Sequence, residues 1–258
     1  MNSTLPLLVD THAHLCSPDF DHDLGDVLAR ARAAGLSAVI AVGETPADAV
    51  RTLALAETFP MIRPAAGLYP TVLDRDQAAV LHRFIREHRN RLAAIGEVGL
   101  DHWAVKEEKD QELQRDILRG FIHLAKELEL PLNVHSRSAG RHAVALLLEC
   151  GARRVQLHAF DGKASAARPA VEAGYFFSIP PSVVRSRQKQ KLVKQLPLSC
   201  LLVETDSPVL GPAPNVRNEP ANLLVAVKAI AEIKKLSEQQ VLEAVAANTT
   251  RLYGPFPA

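Results

Sequence analysis

Short apolar, β-branched runs alternate with longer amphipathic stretches along the whole chain, and this alternation constrains the fold more than any other feature. The runs are Leu7–His12, Ala38–Val42, Ile62–Leu68, Ala94–Val98, Leu132–His135, Val155–His158, Tyr175–Ile179 and Leu201–Asp206. Most are hydrophobic nearly throughout, as a parallel strand buried on both faces must be. Helical periodicity marks Asp23–Ala34, Pro46–Phe59, Gln77–Arg91, Glu108–Leu128, Ala139–Cys150, Ser165–Ala173 and Val183–Gln195. Parallel neighbours need a crossover helix, so eight strand–helix units predict a closed parallel sheet. The fold expected is α/β: a single (β/α)8 TIM barrel occupying residues 1–258. Ala221–Lys235 and Ser237–Ala247 would form a C-terminal helical extension. An open doubly wound sheet is disfavoured, because no glycine-rich phosphate loop follows the first strand.

Length and composition agree with one barrel. The chain has 258 residues, 47% hydrophobic and 23% charged, which excludes a disordered tail protein. Lys+Arg 30 against Asp+Glu 29 leaves +1, too little to grip nucleic acid by bulk charge, though a local site is allowed. Cys16, Cys150 and Cys200 are scattered and odd in number, as in a reducing compartment. Met1–Leu8 lacks a signal-peptide pattern, and no apolar stretch approaches the roughly 20 residues of a membrane span. A cytoplasmic protein is expected, with nuclear access in a eukaryote, no membrane partner, and a monomeric or weakly oligomeric state.

Five of the eight runs end in metal-ligand residue types. Asp10-Thr11-His12-Ala13-His14 closes the first, and the period of two along a strand puts His12 and His14 on one side. Glu97, His135 and His158 end the fourth, fifth and sixth, and the eighth ends Glu204-Thr205-Asp206. In a barrel these ends converge on the face where active sites are built. Four imidazoles with two or three carboxylates suit Zn, Mn, Fe, Ni or Co, and make Mg a poorer match. Two ions bridged by Glu97 or Asp206 fit this set better than one. Asp206 would orient a metal-activated water or accept its proton. Glu204 lies deeper, as a ligand of a further ion or as support for one. Asp10 either holds an imidazole tautomer or serves packing or a buried ion pair; Asp101 and Arg217 are either residues at the edge of the mouth, Arg217 binding substrate, or ordinary surface residues. The six remaining histidines fall in helices or loops and are expected to be surface or packing residues. The basic run Arg185–Lys191 either tracks a phosphate backbone or is a solvated helix face.

Asp10-Thr11-His12-Ala13-His14-Leu15, Gly96-Glu97-Val98-Gly99-Leu100-Asp101, His135-Ser136-Arg137 and Glu204-Thr205-Asp206-Ser207-Pro208 together resemble the motifs of the TatD family of metal-dependent hydrolases. Arg217-Asn218-Glu219-Pro220 and Asn248-Thr249-Thr250-Arg251-Leu252 are similar to its downstream elements, in the family's order. The resemblance implies a barrel with two or three divalent ions (Zn, Mn, Fe, Ni, Co or Mg) that cleaves phosphodiesters. It implies a deoxyribonuclease, with 3′-exonuclease activity in several relatives, and DNA or another phosphodiester as substrate. It places His12, His14, Glu97, His135, His158 and Asp206 at metal-ligand positions. Arg137 would neutralise a phosphate oxygen.

Two positions depart from the family pattern. Gly67-Leu68-Tyr69-Pro70 carries tyrosine where the family commonly has histidine, leaving a hydroxyl to bond phosphate and suggesting a divergent subgroup. His158-Ala159-Phe160-Asp161-Gly162 brings an extra carboxylate. The rival functions are an amidohydrolase-type enzyme cleaving C–N, ester or lactone bonds at a similar centre, and a metal-binding scaffold. Glu97, standing where that superfamily often has a carbamylated lysine, favours phosphodiesters.

Overall fold

The computed structural model describes residues 8–256; the expected strand start at Leu7 and most of the Met1–Leu8 segment lie outside them. Eight parallel strands form one sheet in sequence order. They are β1 (Leu8–Ala13), β2 (Leu36–Gly43), β3 (Ile62–Ala66), β4 (Ala94–Gly99), β5 (Leu132–His135), β6 (Val155–Leu157), β7 (Phe176–Ile179) and β8 (Leu201–Val203). The crossovers carry α1 (Leu24–Ala33), α2 (Pro46–Thr58), α3 (Arg75–His88), α4 (Glu108–Leu128), α5 (Gly140–Glu149), α6 (Ala164–Glu172) and α7 (Arg187–Gln195). The extension is α8 (Leu223–Lys234) and α9 (Glu238–Tyr253). This is the expected barrel, with every strand wholly buried apart from one partly exposed residue each in β2 and β3.

The β1–β8 seam is held by side chains as well as by backbone bonds. Thr11 Oγ1 donates to the Val203 carbonyl at 2.9 Å, and the Asp206 amide donates to the His12 carbonyl at 2.9 Å. Buried Asp10 accepts from the Thr205 amide at 2.8 Å and from its hydroxyl at 2.5 Å. Asp10 therefore works on the seam, and its carboxylate does not meet the His12 ring.

Helix ends follow local chemistry. Thr45 caps α2 with Pro46 next, Asp74 caps α3, and Ser237 with Gln240 forms a reciprocal capping box on α9. The helix expected over Val183–Gln195 is split: a 3₁₀ turn spans Pro181–Val184, and Ser186 then caps α7. The last helix runs past Ala247 to Tyr253, because Asn248 is paid back for its low helix propensity by bonds to the Leu198 and Leu201 carbonyls. Arg154, just before β6, donates to the Leu252 carbonyl, so α9 ends beneath the amino-terminal end of the strands. There Tyr253 and Phe256 pack on Val9, Ala38, Ile40, Val42, Ala65 and Ala94.

Candidate metal centre

At the carboxyl end of the strands, five of the six expected ligands line one cavity of about 620 Å³, and the sixth, His12, is fully buried against them. Glu97, 1% exposed, is their centre. Its Oε1 lies 2.7 Å from His135 Nδ1 and 2.9 Å from His158 Nε2. Its Oε2 faces the other way, 3.7 Å from His12 Nε2 and 3.5 Å from His14 Nε2. Asp206 Oδ1 completes that second group, 3.5 Å from His12 Nε2 and 3.1 Å from His14 Nε2.

The backbone must come close to build this centre. A Cβ at Gly67 would collide with the Glu97 carbonyl, and one at Gly99 with the His135 carbonyl, so β3, β4 and β5 can crowd around Glu97 only with glycine there. Asp206 adopts a left-handed φ of 56°, which costs an aspartate about 1–2 kcal/mol. The Asp206–His12 backbone bond across the seam holds it there. His158 and Asp206 both lie just beyond their strands, where the chain has left the extended repeat.

Three of the four imidazoles are aimed by a partner on the ring nitrogen turned away from Glu97, whereas buried His158 Nδ1 has no hydrogen-bond partner among the described residues. Asn133 Oδ1 sits 2.8 Å from His12 Nδ1, which leaves Nε2 toward Glu97. Asp101 Oδ2 sits 3.0 Å from His135 Nε2, which turns Nδ1 toward Glu97 instead. Glu44 Oε1 stands 3.4 Å from His14 Nδ1. His12 and His158 stack face to face with centroids 3.9 Å apart.

The charges explain why this cluster suits a cation. Burial opposes ionisation of Glu97, but the His158 charge and the His135 and His158 hydrogen bonds hold its carboxyl well below the usual range. Burial likewise opposes Asp206, and its bond to His14 and the neighbouring imidazoles bring it down. Burial and the His158 charge press His12 down to about 3, so its Nε2 keeps a lone pair. His14 and His135 resist burial through their carboxylate partners and rise to about 10 and about 9. Protons and a metal ion thus compete for the same nitrogens.

The donor set passes a stricter test. Buried Glu97 Oε2 finds no hydrogen-bond partner among the described residues, although two imidazole nitrogens, themselves 3.2 Å apart, face it. Imidazole and carboxylate atoms at these separations are spaced as ligands around an ion with bonds of about 2.0–2.2 Å.

The remaining expected residues divide. Tyr69 lines the cavity, edge-on to His135 at 5.3 Å. Arg137 also lines it, with its guanidinium over Trp103 at 3.8 Å. Asp101 is 1% exposed and supports His135, so it is a buried anchor and not an edge residue. Arg217 is drawn away from the cavity: it pairs with Asp23 at 2.5 Å, donates to the Asp19 carbonyl and lies over Phe20. Glu204, fully buried, sits beneath the cavity, accepting from Ser178 Oγ at 2.6 Å and the Ala159 amide at 2.7 Å. Asp161 accepts from the Ser138 amide at 2.8 Å and ties the loops after β5 and β6 together.

Asn133, Gln156, Ser178 and Tyr253 escaped the sequence analysis. Tyr253 donates to Gln156 at 2.6 Å, Gln156 to Ser178 at 2.9 Å, and Ser178 to Glu204, forming a polar layer under the ligands. An amide inside an otherwise apolar run, as in Leu132-Asn133-Val134 and Val155-Gln156-Leu157, was the available signal. Glu44, directly after β2, follows the same strand-end pattern as the ligands.

Residues 9–254 match the family model described as TatD related DNase. A human protein named deoxyribonuclease TATDN3 is 47% identical over 259 residues, covering 95% of this chain and 94% of that protein. A Bacillus subtilis protein named as the uncharacterized metal-dependent hydrolase YabD is 32% identical, over 96% of this chain and 99% of its own. The crystal structure of YJJV, a TatD homolog from Escherichia coli, superposes with a TM-score of 0.90 at 26% identity, covering 97% of this chain and 99% of that one. With its ligand cluster at the strand ends and a match spanning nearly its whole length, the chain belongs to the TatD family of metal-dependent hydrolases.

Proposed function

We propose that this protein is a deoxyribonuclease that cleaves phosphodiester bonds with two divalent ions bridged by Glu97. Bound there, the ions would supply an activated water and neutralise charge on the phosphate. The observation that carries this reading is the division of Glu97, with Oε1 toward His135 and His158 and Oε2 toward His12 and His14. One carboxylate facing two imidazole pairs is an arrangement suited to two ions.

Asp206 stands in the cavity wall with its carboxyl held ionised, so it can accept the proton of the attacking water at a carboxylate oxygen. Arg137, kept in place by Trp103, would bind a non-bridging phosphate oxygen, and the Tyr69 hydroxyl would donate to another. We assign Glu204 a supporting role beneath the ligands, since its oxygens are already bonded to Ser178 and Ala159. Tyr69 would mark a subgroup within the family. Three buried free thiols favour a reducing compartment, and among the described residues no helix is long and apolar enough to cross a membrane.

The test is a substrate screen on metal-reconstituted protein, comparing DNA, RNA and small phosphodiesters with esters and lactones, and Asp206→Ala as control. DNA cleavage that Asp206→Ala abolishes is expected. Turnover of esters or lactones alone would overturn the reading in favour of amidohydrolase-type chemistry.

A further inference from the structure

Carboxylates outnumber lysines and arginines by five to two among the described residues that line the cavity. A phosphodiester entering it therefore meets few fixed cations besides the ions themselves. The two are Arg137 and Lys189, and they differ in setting. Arg137 is exposed and rests on Trp103. Lys189 is half-buried in the first turn of α7, and its Nζ donates to the Ala159 carbonyl at 2.9 Å, one residue beyond the ligand His158.

An ammonium has three N–H donors, and the Ala159 carbonyl takes one. Burial lowers the Lys189 pKa, an effect that the charges of Glu204, Asp206 and Asp161 partly offset. A compact, strongly hydrated ammonium drawn into a cavity wall is costly unless it has an anion to meet. The surrounding carboxylates lie too far to pair with Nζ: among the described residues its one hydrogen bond is to the Ala159 carbonyl, while Glu204 bonds Ser178 and Ala159, Asp206 bonds His14, and Asp161 bonds Ser138. Within the basic run Arg185–Lys191, Arg185 donates to the Gly211 carbonyl, while Arg187 and Lys191 are exposed and absent from the cavity lining.

We propose that Lys189 is a substrate-binding residue whose ammonium takes a non-bridging phosphate oxygen of the bound phosphodiester. The assignment rests on the phosphodiester reading above. It commits the basic run to one residue: Lys189 acts in the cavity, and the exposed members of the run do not. The competing role is purely structural. Lys189 could pin the turn at Ala159, where φ is 40° and the amide supports Glu204.

Calorimetry of inorganic phosphate and of the metal itself, on Mn²⁺- or Zn²⁺-reconstituted full-length protein, separates these roles when combined with KM and kcat on single-stranded DNA. Lys189→Met should weaken phosphate binding about tenfold or more, as loss of one charge-assisted hydrogen bond does, and raise KM comparably. Metal affinity should stay within about threefold, and Lys189→Arg should recover part of the phosphate affinity. Phosphate affinity unchanged in Lys189→Met, or a loss matched by an equal loss of metal affinity, would overturn the assignment alone. A wild-type protein that binds metal but neither binds phosphate nor cuts DNA would overturn the phosphodiester reading along with it.

Discussion

Asp101 Oδ2 lies 3.0 Å from Nε2 of His135, and this contact decides which nitrogen of that ring faces Glu97. With Nε2 engaged, Nδ1 is presented to Glu97 at 2.7 Å, whereas His12, held at Nδ1 by Asn133, presents Nε2. Partners of this kind fix ring orientation and tautomer, and their loss typically costs 10–100-fold in metal affinity. Asp101→Ala should therefore weaken metal binding by about that factor while the barrel stays folded. Calorimetric titration with Mn²⁺ or Zn²⁺ measures it, and an unchanged affinity would show that Asp101 does not aim the ring.

Bound ions should also stabilise the fold, because they bind the ordered ligand set and not the unfolded chain. At a hundredfold excess over Kd, a single site contributes about 2.7 kcal/mol. For a chain of this size that is a Tm shift of roughly 5–10 °C. Treatment with a chelator should lower Tm by this amount, and adding metal should restore it; a Tm insensitive to both would argue against a built site.

The β1–β8 seam relies on Thr205. Thr205→Val keeps the shape but removes the hydroxyl that Asp10 accepts from, leaving a buried carboxylate oxygen short of a donor. The expected cost is about 1–3 kcal/mol. Chemical denaturation reads it as a lower midpoint with an unchanged slope, and a neutral result would show that the backbone bonds alone close the barrel.

Tyr253 reaches the polar layer from the far end of the barrel. Tyr253→Phe strips Gln156 Oε1 of its 2.6 Å donor, with an expected loss of about 1–3 kcal/mol. Because Gln156 leads through Ser178 to Glu204, turnover should fall as well as stability. Denaturation midpoints and kcat measured on the same preparation check both halves.

The parts of this architecture that depend on burial were legible in the sequence. Strands buried on both faces must be apolar, so their order and the polar residues ending them stood out, and that contrast picked out six residues that the fold gathers around Glu97. Period two placed His12 and His14 together, and their Nε2 atoms are 3.2 Å apart. Glu204 and Asp206, two residues apart, separate because β8 stops at Val203 and Asp206 turns left-handed, which leaves Glu204 deeper, as expected, and Asp206 in the wall. Arg217 was misplaced because nothing local reveals that Asp23, some 194 residues earlier, captures its guanidinium. Asn133 and Gln156 were passed over because a neutral amide in a strand carries no periodic signal of its own. The length of α9 was underestimated because Asn248 and Thr249 are weak helix formers whose side chains find carbonyl partners only in the folded chain.

The central claim is that Glu97 joins two ions, and counting metal per chain tests it most directly. Elemental analysis of reconstituted wild-type protein should give at least two ions per chain, and Glu97→Gln, which keeps the shape but removes the bridging charge, should retain fewer and lose DNA cleavage. One ion per chain in the wild type, with the same count and the same cleavage in Glu97→Gln, would contradict it.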